Sequence, residues 1–212
     1  VINVAKNFSL SPNKEIFDIF PKEFIIDGET KVKEPIGLRG IKLEVNAIAI
    51  GGFTPYIKNL FETLSLVDLE AEGVFPSALA SAKAVLTQKQ KELGVAVLDI
   101  GAGTTNLAVF ENEDLLDLAV FPIGSNNITN DIAIGLKCDI EIAEKLKIEF
   151  ESFLKKSHQK KEKIEIPQGE TIIFSAKQLE EIIFARLIEI FREANKELKK
   201  IGKEKNLPAG IV

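Results

Sequence analysis

The chain has no methionine, one cysteine and one histidine among its 212 residues. With Cys138 alone no intramolecular disulfide can form, and such cysteine usage fits a reducing compartment. His158 lies in a lysine-rich stretch, residues 155–163, with no second His or Cys at ligand spacing, so that stretch reads as a solvated loop rather than a metal site. No run approaches the roughly 20 apolar residues that span a bilayer, and the N-terminus has no signal-peptide layout. The net charge of −5, with no long basic stripe, argues against a general nucleic-acid binder, which needs a basic face to neutralise phosphates. Because the chain starts at Val1 without an initiator and ends in Leu207-Pro-Ala-Gly-Ile-Val212, a loop followed by the first residues of a buried strand, it is expected to be an internal fragment of a longer protein.

What is present is ordinary in bulk: 45% apolar and 28% charged residues, enough to bury a core as one or two small domains. The pattern divides near residue 70. Before it, residues 15–20, 24–26 and 41–50 read as strands, the last with Ile41, Leu43, Val45, Ala47 and Ala49 on one face at period two. Its opposite face carries Lys42, Glu44 and Asn46 before turning apolar at Ile48 and Ile50, as in a sheet covered on one side and partly on the other. A helix follows, with Thr54 as N-cap, Pro55 in its first turn, and Ile57, Leu60, Phe61 and Leu64 as its buried stripe. A short strand is expected over residues 70–75 and an Ala-rich helix over 77–86, and a meander of three strands then runs from Gly94 to Phe121. Beyond Gly124 the period is helical. Ser125 or Asn126 caps a helix carrying Ile128, Ile132 and Leu136, and Asp139 caps a second carrying Ala143, Leu146 and Phe150. A strand at 171–174 leads through Ser175-Ala-Lys-Gln178 into a long helix with an apolar face from Leu179 to Ile201.

The chemistry concentrates in Asp99-Ile-Gly-Ala-Gly-Thr-Thr-Asn106, a glycine turn between two apolar strands. Gly101 and Gly103 permit φ > 0 and let backbone N–H groups of the turn, including that of Ala102, approach an anion, and Thr104 and Thr105 add hydroxyls. Asp99 repels a phosphate directly and suits a hydrated divalent cation that bridges to phosphate oxygens. The pattern points to a nucleotide with Mg²⁺, against the plain alternative that the turn only closes a hairpin. Gly124 and the N–H groups after it offer a second nucleotide contact or an ordinary helix start. Glu144 and Lys147, three residues apart on one helix face, can address ribose hydroxyls and phosphate together or simply pair with each other at the surface.

These residues resemble the bacterial cell-division family FtsA. The resemblance is carried by the turn, by Phe121-Pro-Ile-Gly124, Ile128-Thr-Asn-Asp-Ile-Ala-Ile-Gly-Leu136, Ala143-Glu-Lys-Leu-Lys147 and Leu207-Pro-Ala-Gly-Ile-Val212. In the first half it is carried by Phe20-Pro-Lys-Glu-Phe-Ile-Ile-Asp-Gly28, Pro35-Ile-Gly-Leu-Arg-Gly-Ile-Lys-Leu-Glu44 and Ala78-Leu-Ala-Ser-Ala-Lys-Ala-Val-Leu86. It implies a mixed α/β (α+β) actin-like, ribonuclease H-like ATPase fold. Residues 1–68 would be the inserted 1C subdomain, 69–93 a return to subdomain 1A, and 94–212 an incomplete 2A and 2B. It further implies ATP and Mg²⁺ held by Asp99, Gly101, Ala102, Gly103, Thr104, Thr105 and Gly124, with Glu144 and Lys147 on the ribose side. Self-association into filaments, binding to the tubulin-like protein FtsZ, and contact of residues 1–68 with later division proteins are also implied. So is a place at the cytoplasmic face of the inner membrane at the septum, through a C-terminal helix not among these residues. The first phosphate loop and an adenosine segment would likewise lie outside them. Ala102 and Asn106 stand where many relatives carry Gly and Asp, which makes the turn stiffer and one carboxylate poorer. The pilus-assembly family PilM and the actin-fold sugar or acetate kinases are the alternatives, the kinases lacking here a second carboxylate constellation for a base.

Overall fold

A computed structural model describes residues 1–5, 13–151, 161–165 and 171–212, and His158 therefore lies outside the described residues. After a single helical turn, α1 (Ile2–Ala5), the chain forms β1 (Lys14–Ile26), β2 (Thr30–Val32) and β3 (Leu43–Phe53), an antiparallel sheet in the order β2-β1-β3. The two strands expected at 15–20 and 24–26 are one. Pro21, which has no N–H to donate, is carried by a register shift against β3 between Pro21 and Glu23. The face of β3 that enters the core is that of Ile48 and Ile50, not that of Leu43 and Ala49, because Phe17, Phe20 and Ile48 pack with Ile50 against the next helix and sheet. Ile41 is fully exposed.

Helix α2 (Thr54–Ser65) starts at Thr54 rather than after it, since Phe53 is the N-cap. None of its residues is buried. Ile57 and Leu64 are half-covered, while Leu60 and Phe61 of the expected stripe are exposed. Residues 70–75 form no strand. Helix α3 (Ser77–Val85) follows as expected. The short α4 (Gln88–Leu93) was not expected, although Thr87 and Gln90 close a reciprocal capping box at its start.

The central sheet is β4 (Val95–Ile100), β5 (Thr105–Glu111) and β6 (Asp114–Phe121), an antiparallel meander. Residues 210–212 add a parallel pairing on the far edge of β4, with Leu98 N–H on the Val212 carbonyl at 2.9 Å. Ile211 and Val212 are about half exposed there, not buried. Both faces of the sheet are covered, so the stretches 95–98 of β4 and 107–110 of β5 are apolar. Val95, Val97, Ala108 and Phe110 face α3, and Ala96, Leu107 and Val109 face Leu198.

Gly124 ends the sheet and caps α5 (Ser125–Leu136), and Asp139 caps α6 (Ile140–Ile148). Residues 161–165 form β7 (Lys161–Glu165) against β8 (Thr171–Ser175), so the end of the lysine-rich stretch is a strand and not a loop. Ser175 Oγ accepts the Gln178 N–H at 3.1 Å and starts α7 (Ala176–Lys200). This helix serves two cores with one continuous face. Leu179 and Ile183 pack on Ile128, Ile132 and Leu146 of α5 and α6, and about four turns further on Leu198 covers the central sheet. α7 thereby ties the helical layer to the sheet whose end carries the glycine turn. Among the described residues no helix is long and apolar enough to cross a membrane.

Candidate functional site

The site is built at the end of the central sheet, where β4 turns into β5. Asp99 and Asn106 are cross-strand partners and Ile100 pairs with Thr105, so the ladder runs right up to the turn and holds its base rigid. The Gly101 N–H closes the turn on the Thr104 carbonyl at 2.8 Å. Neither Gly101 nor Gly103 takes a positive φ, contrary to expectation. Their value here is clearance. A Cβ at Gly101 would meet the Thr104 carbonyl at 3.0 Å, and nothing lies within 4 Å of one at Gly103, which leaves the backbone open to solvent. The N–H groups of Ala102, Gly103 and Thr104 donate to no described group. Three unspent donors in succession on an open turn form a concavity suited to an anion.

Asp99 is half-buried beside them, with Oδ2 accepting from the Ser81 hydroxyl of α3 at 3.3 Å. Its other oxygen has no partner among the described residues. No group of three or more His, Cys, Asp or Glu that could hold a metal occurs among them, so a cation here would meet one protein carboxylate and complete its shell elsewhere. The Thr104 side chain is exposed and has no hydrogen-bond partner among the described residues. That of Thr105 points inward, fully buried, and donates to the Ile123 carbonyl at 2.7 Å. The two hydroxyls, equivalent in the sequence, are therefore not equivalent in space: Thr104 lies in the open turn before β5, and Thr105 is the first residue of a strand buried from 105 to 110.

The turn is clamped from the other side by α5. Ser125 N–H donates to the Gly101 carbonyl at 2.9 Å and Asn126 N–H to that of Ala102 at 2.8 Å. The Gly124 N–H goes to Asn127 Oδ1 at 2.9 Å. The first donors of α5 are thus spent within the protein, and Gly124 serves close approach: a Cβ on it would lie 2.5 Å from the Ala102 carbonyl oxygen.

Glu144 and Lys147 stand together on α6, 2.7 Å apart, and both bind the buried Thr129 of α5. Hydrogen bonding to Lys147 and then to Thr129 holds the Glu144 carboxyl below its ordinary range. Thr129, which joins them, was not singled out in the sequence. Its place one helical turn beyond Ser125 on the helix facing α6 was the available signal. A groove of about 640 Å³ runs beside this cluster, between Asn126 and Asn130 of α5 and Ile140 and Glu144 of α6. Asn126 belongs both to the groove and to the clamp on the turn.

Comparison with known proteins decides the family. The family model described as cell division protein FtsA matches residues 96–199, and that described as the SHS2 domain inserted in FtsA matches residues 1–50. The chain belongs to the FtsA family. It is similar to the cell division protein FtsA of Neisseria meningitidis serogroup B, 36% identical over 215 residues, covering 100% of this chain and 52% of that protein. FtsA of Bacillus subtilis is 33% identical, with 100% and 49% covered. The chain spans about half the length of the curated relatives it matches. Among solved structures, the PilM-PilN type IV pilus biogenesis complex aligns over 93% of this FtsA-family chain and 48% of its own, with a TM-score of 0.62 and 15% identity. At that identity the likeness shows the fold alone, which is the actin-like ATPase fold expected from the resemblance.

Proposed function

We propose that this chain supplies one wall of an ATP site in an actin-like scaffold of bacterial cell division. The observation that carries the reading is the open run of unspent N–H groups at Ala102, Gly103 and Thr104 beside the free oxygen of Asp99. These donors fit phosphate oxygens, and a lone carboxylate at their edge fits Mg²⁺ held through water. Bound there, Mg-ATP would supply a dense negative charge with its counter-ion, and the protein's part is to bind and orient it. Gly101 shapes the turn. Thr105 and Gly124 brace it from beneath through the Ile123 carbonyl and the Ala102 carbonyl, and Glu144 with Lys147 faces the ribose side.

In the same reading residues 1–68 form the 1C-type subdomain that meets later division proteins, residues 69–93 return to 1A, and residues 94–212 belong to 2A and 2B. Nucleotide favours self-association into filaments and contact with FtsZ, which links the division ring to the inner membrane at its cytoplasmic face. The protein acts as a nucleotide-switched scaffold, at most a slow ATPase. Co-sedimentation of the full-length protein with purified FtsZ tests this, with and without Mg-ATP. Nucleotide-dependent pelleting with FtsZ is expected, and absence of FtsZ binding in both conditions would remove the partner assignment.

A further inference from the structure

Ser81 stands in the middle of α3 with its hydroxyl turned away from its own helix. A hydroxyl residue inside a helix has a ready acceptor in the carbonyl four residues back, and Thr63 of α2 takes that bond, on the Asn59 carbonyl at 2.7 Å. Ser81 does not. Among the described residues its one hydrogen bond goes across to the neighbouring strand, to Asp99 Oδ2 at 3.3 Å.

A serine side chain is short, so this reach requires the helix to lie close on the sheet. Ala78 and Ala82, three residues before and one after, are 1% and 0% exposed and pack with Leu79 against Val95, Val97 and Ala108. Ile50 of β3 joins the same cluster. The backbone that carries Ser81 is therefore fixed by apolar packing in which the hydroxyl has no part, and the hydroxyl is left for a polar task.

That task falls on the carboxylate at the mouth of the phosphate turn. Asp99 is half-buried, its Oδ1 has no partner among the described residues, and no group of three metal-binding side chains surrounds it there. A cation that meets a single protein carboxylate depends on the direction of that carboxylate, and a hydrogen bond to one of its oxygens removes its freedom to turn.

Resting on the nucleotide reading above, we propose that Ser81 is a positioning residue, whose hydroxyl holds Asp99 Oδ2 and keeps Oδ1 for the hydrated Mg²⁺ of a bound nucleotide. Ser81 touches neither metal nor phosphate in this assignment. It acts through Asp99, so its removal changes how much Mg²⁺ the site needs and leaves the grip of the Ala102, Gly103 and Thr104 N–H groups on phosphate as it was.

The test is calorimetric titration of the full-length protein with ATP, at stepped Mg²⁺ concentrations and with the metal chelated. Ser81→Ala is expected to raise the Mg²⁺ concentration needed for half-maximal ATP binding about tenfold, with affinity in chelator and Tm unchanged. Alanine is the better helix former, so this variant keeps α3. Ser81→Thr, which retains a hydroxyl at a half-exposed position, is expected to keep the wild-type requirement. A Ser81→Ala protein with the wild-type Mg²⁺ requirement, one weakened equally with and without metal, or a Ser81→Thr protein as impaired as Ser81→Ala, each while Asp99→Ala loses Mg²⁺-dependent binding, overturns the positioning role and leaves the nucleotide reading standing. Undiminished Mg-ATP binding by Asp99→Ala overturns the nucleotide reading, and this inference with it.

Discussion

Gly124 packs so closely on Ala102 that the carbonyl oxygen of Ala102 occupies the space of a side chain, 2.5 Å from where a Cβ would stand. The φ of Gly124 is −158°, extended backbone that any residue adopts, so the requirement is room and not conformation. The obstructing atom is backbone, anchored by the Asn126 N–H, and cannot rotate away. Gly124→Ala is therefore expected to destabilise by about 1–3 kcal/mol, as overpacking does. Urea unfolding measures it, and an unchanged midpoint would show that α5 does not clamp the turn.

Thr105 makes the second brace. Its buried hydroxyl satisfies the Ile123 carbonyl in the loop that leads into α5. Thr105→Val keeps the shape and leaves that carbonyl unpaired, at a cost of about 1–3 kcal/mol. The same unfolding experiment checks it. Loss of nucleotide binding with no loss of stability would instead place this hydroxyl in the ligand site.

The contrast between Thr104 and Thr105 marks where sequence reading stops. The glycine turn, its strands, the helix at Ser125 and the long final helix are all legible, because period and capping residues are local properties. Which hydroxyl faces out depends on where the turn gives way to the buried strand β5, and the N–H groups of Ser125 and Asn126 are spent because two distant segments meet, which no local pattern reveals. The buried stripe expected of α2 failed for a similar reason. Leu60 and Phe61 have helical positions, but the described chain leaves both exposed, Leu60 at 52%. α4 was legible in principle from Thr87 and Gln90, and was hidden by its six-residue length. Pro21 suggested a break between strands, whereas a bulge absorbed it.

Arg186 of α7 grips Asp131 of α5 through two bonds, Nε to Oδ2 at 2.7 Å and an Nη to Oδ1 at 2.9 Å, and also reaches Glu189 at 2.6 Å. Hydrogen bonding to Asp131 raises the guanidinium above its already high range, against the effect of burial. Both side chains remain partly exposed, so solvent screening limits the pair. A double-mutant cycle of Asp131→Ala and Arg186→Ala is expected to return a coupling of about 1 kcal/mol. Arg186→Lys is expected to lose most of it, since an ammonium cannot match the two-point geometry. A coupling of zero would mean that packing alone joins α5 to α7.

Two carboxyls give opposite pH signs. Burial pushes Asp117 up, with repulsion from Glu197, against lowering by the Leu118 N–H, Lys22 and Lys200, and its Oδ2 is buried without a partner among the described residues. Its contribution to stability is fully present below its ordinary value of 3.8 and is lost as pH rises through the raised folded value. Asp117→Asn is expected to raise Tm at neutral pH, by a margin that shrinks on acidification. Glu144 is held below 4.5, first by Lys147, so its contribution is present above 4.5 and is lost as pH falls through the lowered folded value. Glu144→Gln should lower Tm at neutral pH by a margin that also shrinks towards acid. Thermal melts across this range check both, and a margin independent of pH for either variant would contradict the assignment.

The central claim is that the turn after Asp99 grips a metal-bound triphosphate. Calorimetric titration of ATP into the full-length protein, with Mg²⁺ and with the metal chelated, tests it most directly when repeated on Asp99→Ala. The account predicts Mg²⁺-dependent binding by wild type and its loss in the variant with the fold intact. Equal affinity of the two proteins for Mg-ATP would contradict it.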